Sequence, residues 1–200
     1  MQLNVAILVG GKGRRINAEK GLLEIRGKKF IEILIKKFKD CNVVIVCRDE
    51  KQAKLYERFG ETIIDEVKNF GPLAAIYSAL KYFKDYVLVV AVDMPLIKKE
   101  LARYIFEICR NGYDAVIPKW KDGKVEPLLA CYSFKAIGEI EKSIVIGEKK
   151  IIKSMEKLNV LYYPIDELRR FDENLLSFIN VNTKKELELV RCLSIDLEEL

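Results

Sequence analysis

The 200-residue chain contains no histidine. Without an imidazole it can build no Ser-His-Asp triad, no Cys-His dyad and no histidine-ligated zinc site. Its five cysteines, Cys41, Cys47, Cys109, Cys131 and Cys192, are odd in number, scattered, and include no C-x-x-C pair. They read as reduced thiols that mostly fill the core, and a cysteine nucleophile would lack a histidine to activate it. The apolar run at residues 5–9 is far shorter than the roughly 20 residues of a membrane span, and no signal-peptide cleavage pattern comes after it. The expected location is therefore cytoplasmic, with no membrane partner. Internal repeats and low-complexity tracts are absent. Glutamine occurs only at Gln2 and Gln52 amid abundant Lys, Glu and Ile, a composition that suggests adaptation to heat. The net charge of +5 is spread along the chain, which favours acidic small molecules over the concentrated basic stripe of a nucleic-acid binder.

What the chain does contain is the material of a globular domain: 50% hydrophobic and 32% charged residues, with a length that fits a single domain over residues 1–200. Apolar, β-branched runs recur at 5–9, 43–46, 62–64, 87–92 and 115–117 and read as strands buried on both faces. Between them lie residues with helical spacing: Phe30, Leu34 and Phe38; Leu73, Ile76, Tyr77, Leu80 and Phe83; Leu101, Tyr104, Ile105 and Ile108. This alternation predicts a three-layer α/β/α fold, a doubly wound, mostly parallel sheet with helices on each side. After Pro118 the pattern changes. Lys121, Asp122 and Gly123 predict a hairpin turn leading to a strand at 128–132, a small antiparallel excursion. A short helix is expected around Ile151, Ile152, Met155 and Leu158, a returning strand at 178–181, and a final helix carrying Val190, Leu193, Leu197 and Leu200 to the terminus.

Ligands of such sheets bind beyond the carboxyl ends of the strands, so the residues just after each apolar run matter most. The first such segment reads LVGGKGRRINAEK, residues 8–20. Gly10, Gly11 and Gly13 let backbone N–H groups approach a ligand closely, and Lys12, Arg14, Arg15 and Lys20 add positive charge, so the loop reads as a polyphosphate cradle. It is no Walker A loop, because no Lys-Ser/Thr pair follows the last glycine. Nor is it the dinucleotide fingerprint, because Ile16 stands where the third glycine belongs. The alternative is an ordinary connection with solvated basic residues. Asp65 ends the third run and precedes Gly71-Pro72-Leu73 at a helix start, a place for a polar or anionic ligand or for a local cap. Asp93, in VVAVDMP, ends the most hydrophobic run. A carboxylate there needs a partner, and Mg²⁺ bridging to phosphates is the natural one beside a basic loop; an Asp turn or a salt bridge to a loop arginine is the structural alternative. Asn180 and Asn182 share one side of the segment after Ile179, where they could ligate, orient a substrate or cap the next helix.

Taken together, these positions resemble the molybdopterin guanylyltransferase (MobA-like) family, nucleotidyltransferases of a Rossmann-like, GT-A-like fold. The family's L-A-G-G-x-G-x-R-M-G…K signature appears as Leu8, Val9, Gly10, Gly11, Gly13, Arg15, Ile16 and Lys20. Its G-P-L is Gly71 to Leu73, its D-x-P is Asp93 and Pro95, and its N-V-N-T runs from Asn180 to Thr183. The ordered matches cover nearly the whole chain. Val9, Asn17 and Ala75 depart from the family's usual small residues. The resemblance implies transfer of GMP from GTP to the terminal phosphate of molybdopterin, with release of pyrophosphate and dependence on Mg²⁺ held by Asp93. It implies nucleotide contacts from Leu8, Val9, Gly10, Gly11, Gly13, Lys20, Asp65 and Asp93, catalytic roles for Arg15, Lys20 and Asp93, and acceptor contacts from Pro127, Asn180 and Asn182. The region of Arg48 helps to hold the nucleotide in the family. Molybdoenzymes or other cofactor-biosynthesis proteins would be partners. Rival readings are a transferase using CTP or a sugar phosphate, and a non-catalytic carrier of nucleotide or pterin.

Overall fold

The computed structural model describes residues 2–10 and 18–193. Its strands are β1 (Asn4–Leu8), β2 (Glu24–Ile25), β3 (Lys28–Lys29), β4 (Asn42–Cys47), β5 (Thr62–Ile64), β6 (Val87–Ala91), β7 (Ala115–Lys119), β8 (Leu129–Tyr132) and β9 (Val160–Pro164). Its α-helices are α1 (Phe30–Lys37), α2 (Glu50–Tyr56), α3 (Pro72–Phe83), α4 (Lys99–Arg110), α5 (Ile137–Val145), α6 (Ile151–Ser154) and α7 (Lys184–Cys192).

Seven strands form one sheet in the order β5-β4-β1-β6-β8-β7-β9. β1 pairs in parallel with β4 and β6, and β4 with β5, while β7 pairs in parallel with β9. β8 alone runs antiparallel, wedged between β6 and β7. The expected antiparallel excursion is thus a strand inside the sheet. Along β1, Val5 and Ile7 pack on the face covered by α1 and α4, and Ala6 and Leu8 on the face covered by α3 and α5. Period-2 alternation with both faces apolar is what turns one continuous hydrophobic run into the middle of three layers. The turn before β8 forms as expected: the amide of Gly123 donates to the carbonyl of Trp120 at 3.0 Å, and Gly123 has φ 92°.

Two expectations need correction. Residues 178–181 do not return as a strand; Leu176–Phe178 is a 3-10 turn, and residues 179–182 beyond it pair with no strand. Both edges of β6 are already occupied by β1 and β8, so the segment passes beyond the end of that strand and makes a single backbone bond there, Val181 N–H to the carbonyl of Asp93 at 2.9 Å. The last helix stops at Cys192 with Leu193 already extended, while Leu197 and Leu200 lie outside the described residues. Of the cysteines, Cys47, Cys109 and Cys131 are buried, whereas Cys192 is exposed and Cys41 is half-buried. Burial pushes the Cys47 thiol up to about 12, so it is an inert filler. Among the described residues, no helix is long and apolar enough to cross a membrane.

Candidate active site

The three central parallel strands end flush. Leu8 pairs with Val46 on one side and Ala91 on the other, and the ladder runs one residue further through Val9 N–H to the Val46 carbonyl and Val92 N–H to the Leu8 carbonyl, both 3.1 Å. The residues that leave this common edge are Gly10, Arg48 and Asp93. Hydrogen-bond register therefore gathers positions from three distant parts of the sequence at one cleft.

Lys20, in a 3-10 turn at Lys20–Leu22, points its ammonium into that cleft. Its Nζ donates to Asp93 Oδ2 at 2.7 Å and to Asn182 Oδ1 at 2.5 Å, across separations of 73 and 162 residues. Both partners of the ion pair are largely shielded from solvent, with side-chain exposures of 18% and 14%. A contact so placed is far less screened than a surface pair. Among the described residues Asp93 is ion-paired with Lys20, whereas the loop arginines that could have been its partner, Arg14 and Arg15, lie outside the described residues. Asp93 Oδ1 remains buried and without a hydrogen-bond partner among the described residues.

A cavity of about 350 Å³ opens here, lined by Leu8, Val9, Gly10, Lys20, Asp93, Leu128, Asn180 and Asn182 among others. A second, of about 410 Å³, adjoins it at Gly10 and is lined by Arg48, Asp65, Lys68, Gly71 and Ala75. A Cβ added at Gly10 would lie 3.8 Å from Arg48 Cβ and 3.9 Å from Asp65 Oδ2, so it would clash with nothing and simply occupy the shared space. Asp65 does not cap the following turn: the Glu66 amide bonds instead to Ser78 Oγ at 2.9 Å, and Asp65 Oδ1 is buried without a partner among the described residues. Desolvation raises its carboxyl to about 7. The rim of this second cavity is shaped by Gly71, whose φ of 64° suits glycine, followed by Pro72 at the first turn of α3.

The asparagines do not serve as caps. Thr183 caps α7 in a capping box with Glu186, which leaves the Asn182 side chain for Lys20 and puts Asn180 on the same cavity wall. Pro127 does not line the cleft; its carbonyl accepts from the Tyr132 hydroxyl at 2.7 Å, and Leu128 forms the wall. Gly11, Gly13 and Arg15 lie outside the described residues.

Sequence reasoning missed a polar cluster behind Lys20. Gln52, on α2, is wholly buried; its Nε2 donates to the Val9 carbonyl at 3.0 Å and to Glu19 Oε2 at 2.7 Å, and Arg48 Nη2 donates to Glu19 Oε1 at 2.5 Å. The signal available was a lone glutamine inside a helix of otherwise ordinary amphipathic residues.

Among the described residues there is no cluster of three or more Asp, Glu or Cys that could enclose a metal ion by itself. Asp93, with its free Oδ1, and the Asn182 amide offer a partial set of hard oxygen donors. This suits a cation that takes its remaining ligands from substrate phosphates and water, as Mg²⁺ commonly does.

Residues 5–159 match the family profile of a MobA-like NTP transferase domain. A "probable molybdenum cofactor guanylyltransferase" of Pyrococcus horikoshii is 36% identical over 196 residues, covering 95% of this chain and 100% of that protein. One of the same name from Methanosarcina mazei is 35% identical over 195 residues, covering 91% and 87%. Among solved structures, the molybdopterin-guanine dinucleotide biosynthesis protein A of Archaeoglobus fulgidus superposes with a TM-score of 0.87 at 44% identity, covering 94% of this chain and 97% of that one. A Leptospira borgpetersenii cytidylyltransferase shares the fold at 15% identity and a TM-score of 0.70, covering 100% and 89%.

Proposed function

Because the chain belongs to the MobA-like NTP transferase family, we propose that it transfers GMP from GTP to the terminal phosphate of molybdopterin. An oxygen of that phosphate attacks the α-phosphorus of GTP; the new P–O bond forms as the bond to the β-bridging oxygen breaks, and pyrophosphate leaves. The attacking phosphate is already ionised at neutral pH. No general base is required, which agrees with a chain devoid of histidine.

The observation that carries this reading is the convergence of Lys20, Asp93 and Asn182 at the flush ends of β1 and β6. In the proposed assignment Lys20, with Arg15, stabilises negative charge that grows on the α-phosphate and the departing pyrophosphate. Leu8, Val9 and Gly10 present the strand end along which the nucleotide lies. Asp65 offers its carboxylate to the N–H donors on the edge of the base. Asn180 and the wall beginning at Leu128 face the acceptor. Asp93, aided by Asn182, would hold Mg²⁺, which supplies charge neutralisation and alignment of the phosphates when bound.

The test is pyrophosphate release from GTP in the presence of molybdopterin and Mg²⁺, with the four nucleoside triphosphates compared. GTP should give the fastest turnover. Lys20→Ala and Asp93→Asn should each lower turnover on the order of a hundredfold or more. Near-normal turnover in either variant, or tight GTP binding with no pyrophosphate released by the wild type, would overturn the assignment; preference for CTP would move the chain to the cytidylyl branch of the same chemistry.

A further inference from the structure

The buried amide of Gln52 reaches both sides of the glycine-rich segment at once. Its Nε2 holds the carbonyl of Val9, where β1 ends, and the carboxylate of Glu19, next to Lys20. Its Oε1 accepts from the Arg48 backbone N–H at 2.9 Å, and the Gln52 backbone N–H donates to Asp49 Oδ1 at 2.8 Å. Arg48 closes the circuit, bonding Glu19 through Nη2 and Asp49 Oδ2 through Nε at 3.1 Å. Every polar atom of the Gln52 side chain is thus committed, as full burial demands.

An apolar residue at position 52 would anchor α2 to the sheet without any of this wiring. Buried polar networks are poor sources of stability, since desolvation offsets much of what their bonds contribute. What this one does achieve is geometric. Val9 and Glu19 are ten positions apart, yet a single side chain fixes one against the other, and the turn that carries Lys20 starts at the tethered residue: Leu22 N–H bonds the Glu19 carbonyl at 3.0 Å, and Leu23 N–H that of Lys20 at 3.1 Å.

We propose that Gln52 and Glu19 are positioning residues for nucleotidyl transfer, a staple that sets the Lys20 ammonium at a fixed distance from the strand end where the nucleotide lies. The proposal rests on the nucleotide-binding reading of the cleft, and neither residue touches substrate.

The test is a pairwise exchange. Gln52→Glu places a second carboxylate against Glu19 and should weaken GTP binding, measured by calorimetry without acceptor, at least tenfold. Glu19→Gln leaves one acceptor oxygen for two donors, Gln52 Nε2 and Arg48 Nη2, and should weaken it several-fold. In the double variant the amide at position 19 donates to the carboxylate at position 52 while its oxygen still accepts from Arg48, but the Val9 carbonyl loses its donor, so affinity should recover at least about threefold over Gln52→Glu alone without reaching wild type, a non-additivity expected only of directly coupled groups. Molybdopterin KM should stay unchanged throughout. Singles that bind GTP within twofold of wild type, or a double variant no better than the worse single, would overturn the proposal, as would a loss that merely follows the unfolded fraction seen by thermal melting. Amide hydrogen exchange in the ligand-free protein separates this outcome from failure of the functional reading. If the wild type binds no nucleotide, the functional reading fails, and the staple stands or falls on exchange alone: Leu22 and Leu23 should exchange faster in Gln52→Glu and slow again in the double variant, while Val89 and Val90 in β6 stay protected. Unchanged exchange at Leu22 and Leu23 would dispose of the staple.

Discussion

Asp65 is a carboxyl group whose surroundings favour its neutral form, and that preference has a sign that can be measured. Its folded value, about 7, lies above the ordinary 3.8 because of burial. Stability from this group is therefore complete below about pH 4 and is lost as pH rises through 7. Asp65→Asn should remove that slope, leaving the variant more stable than the wild type above pH 7 by about 2 kcal/mol, allowing for the partly open cavity. If the ionised carboxylate receives the N–H groups of the base, wild-type GTP affinity should climb between pH 6 and 8 and that of Asp65→Asn should not. Calorimetric titration across this range checks both. Gly10 gives a second residue-scale expectation: since an added methyl meets no atom closer than 3.8 Å, Gly10→Ala should melt within a degree or two of the wild type yet bind GTP at least tenfold more weakly. A fully active Gly10→Ala would place the nucleotide elsewhere.

At the scale of elements, the Lys20–Leu22 turn is seated by contact between Gly21 and α2. A Cβ at Gly21 would come within 2.6 Å of the Tyr56 hydroxyl and 3.0 Å of Val92 Cγ2. Gly21→Ala should consequently cost about 1–3 kcal/mol in denaturant unfolding, as overpacking does, and Tyr56→Phe in the same chain should return part of it. Elements of this kind show how far sequence reasoning reaches. The strands of the sheet centre were legible because residues such as Val87 to Val90 are apolar on both faces. The hairpin of β2 and β3 was not: two residues per strand carry no periodicity, although Arg26 at φ 50° and Gly27 at φ 78° form the left-handed pair such turns need. β9 was missed because its Tyr162 is exposed at the sheet edge and its alternation is weak. The false strand at 178–181 arose because local apolarity says nothing about whether a neighbouring edge is vacant.

For the whole molecule, the Lys-, Glu- and Ile-rich composition with two glutamines predicts unfolding above about 65 °C in differential scanning calorimetry, beyond the usual mesophilic range. A lower transition would remove the inference of heat adaptation. The side chain of one of those two glutamines, Gln52, is held inside the molecule by three hydrogen-bonding partners. Of the positions gathered at the cleft, Gly10, Asp65, Asp93, Asn180 and Asn182 could be nominated from sequence because each closely follows an apolar run, and Lys20 because it closes the basic, glycine-rich segment. Their mutual contacts could not, since register between β1, β4 and β6 is a property of pairing, and so the Lys20–Asp93 bond had no local sign. The reversed direction of β8 has a further consequence. Parallel strands deliver their last residues to the ligand edge, whereas β8 delivers its beginning there, so Leu128 arrives at the rim from an external hairpin and without a helix behind it. The two halves of the cleft are consequently built by separate devices. One side is locked by strand register, while the other is the foot of the 120–127 hairpin, so that under the proposed function the side meant to hold the triphosphate and the side meant to face the acceptor would be set by unrelated parts of the chain.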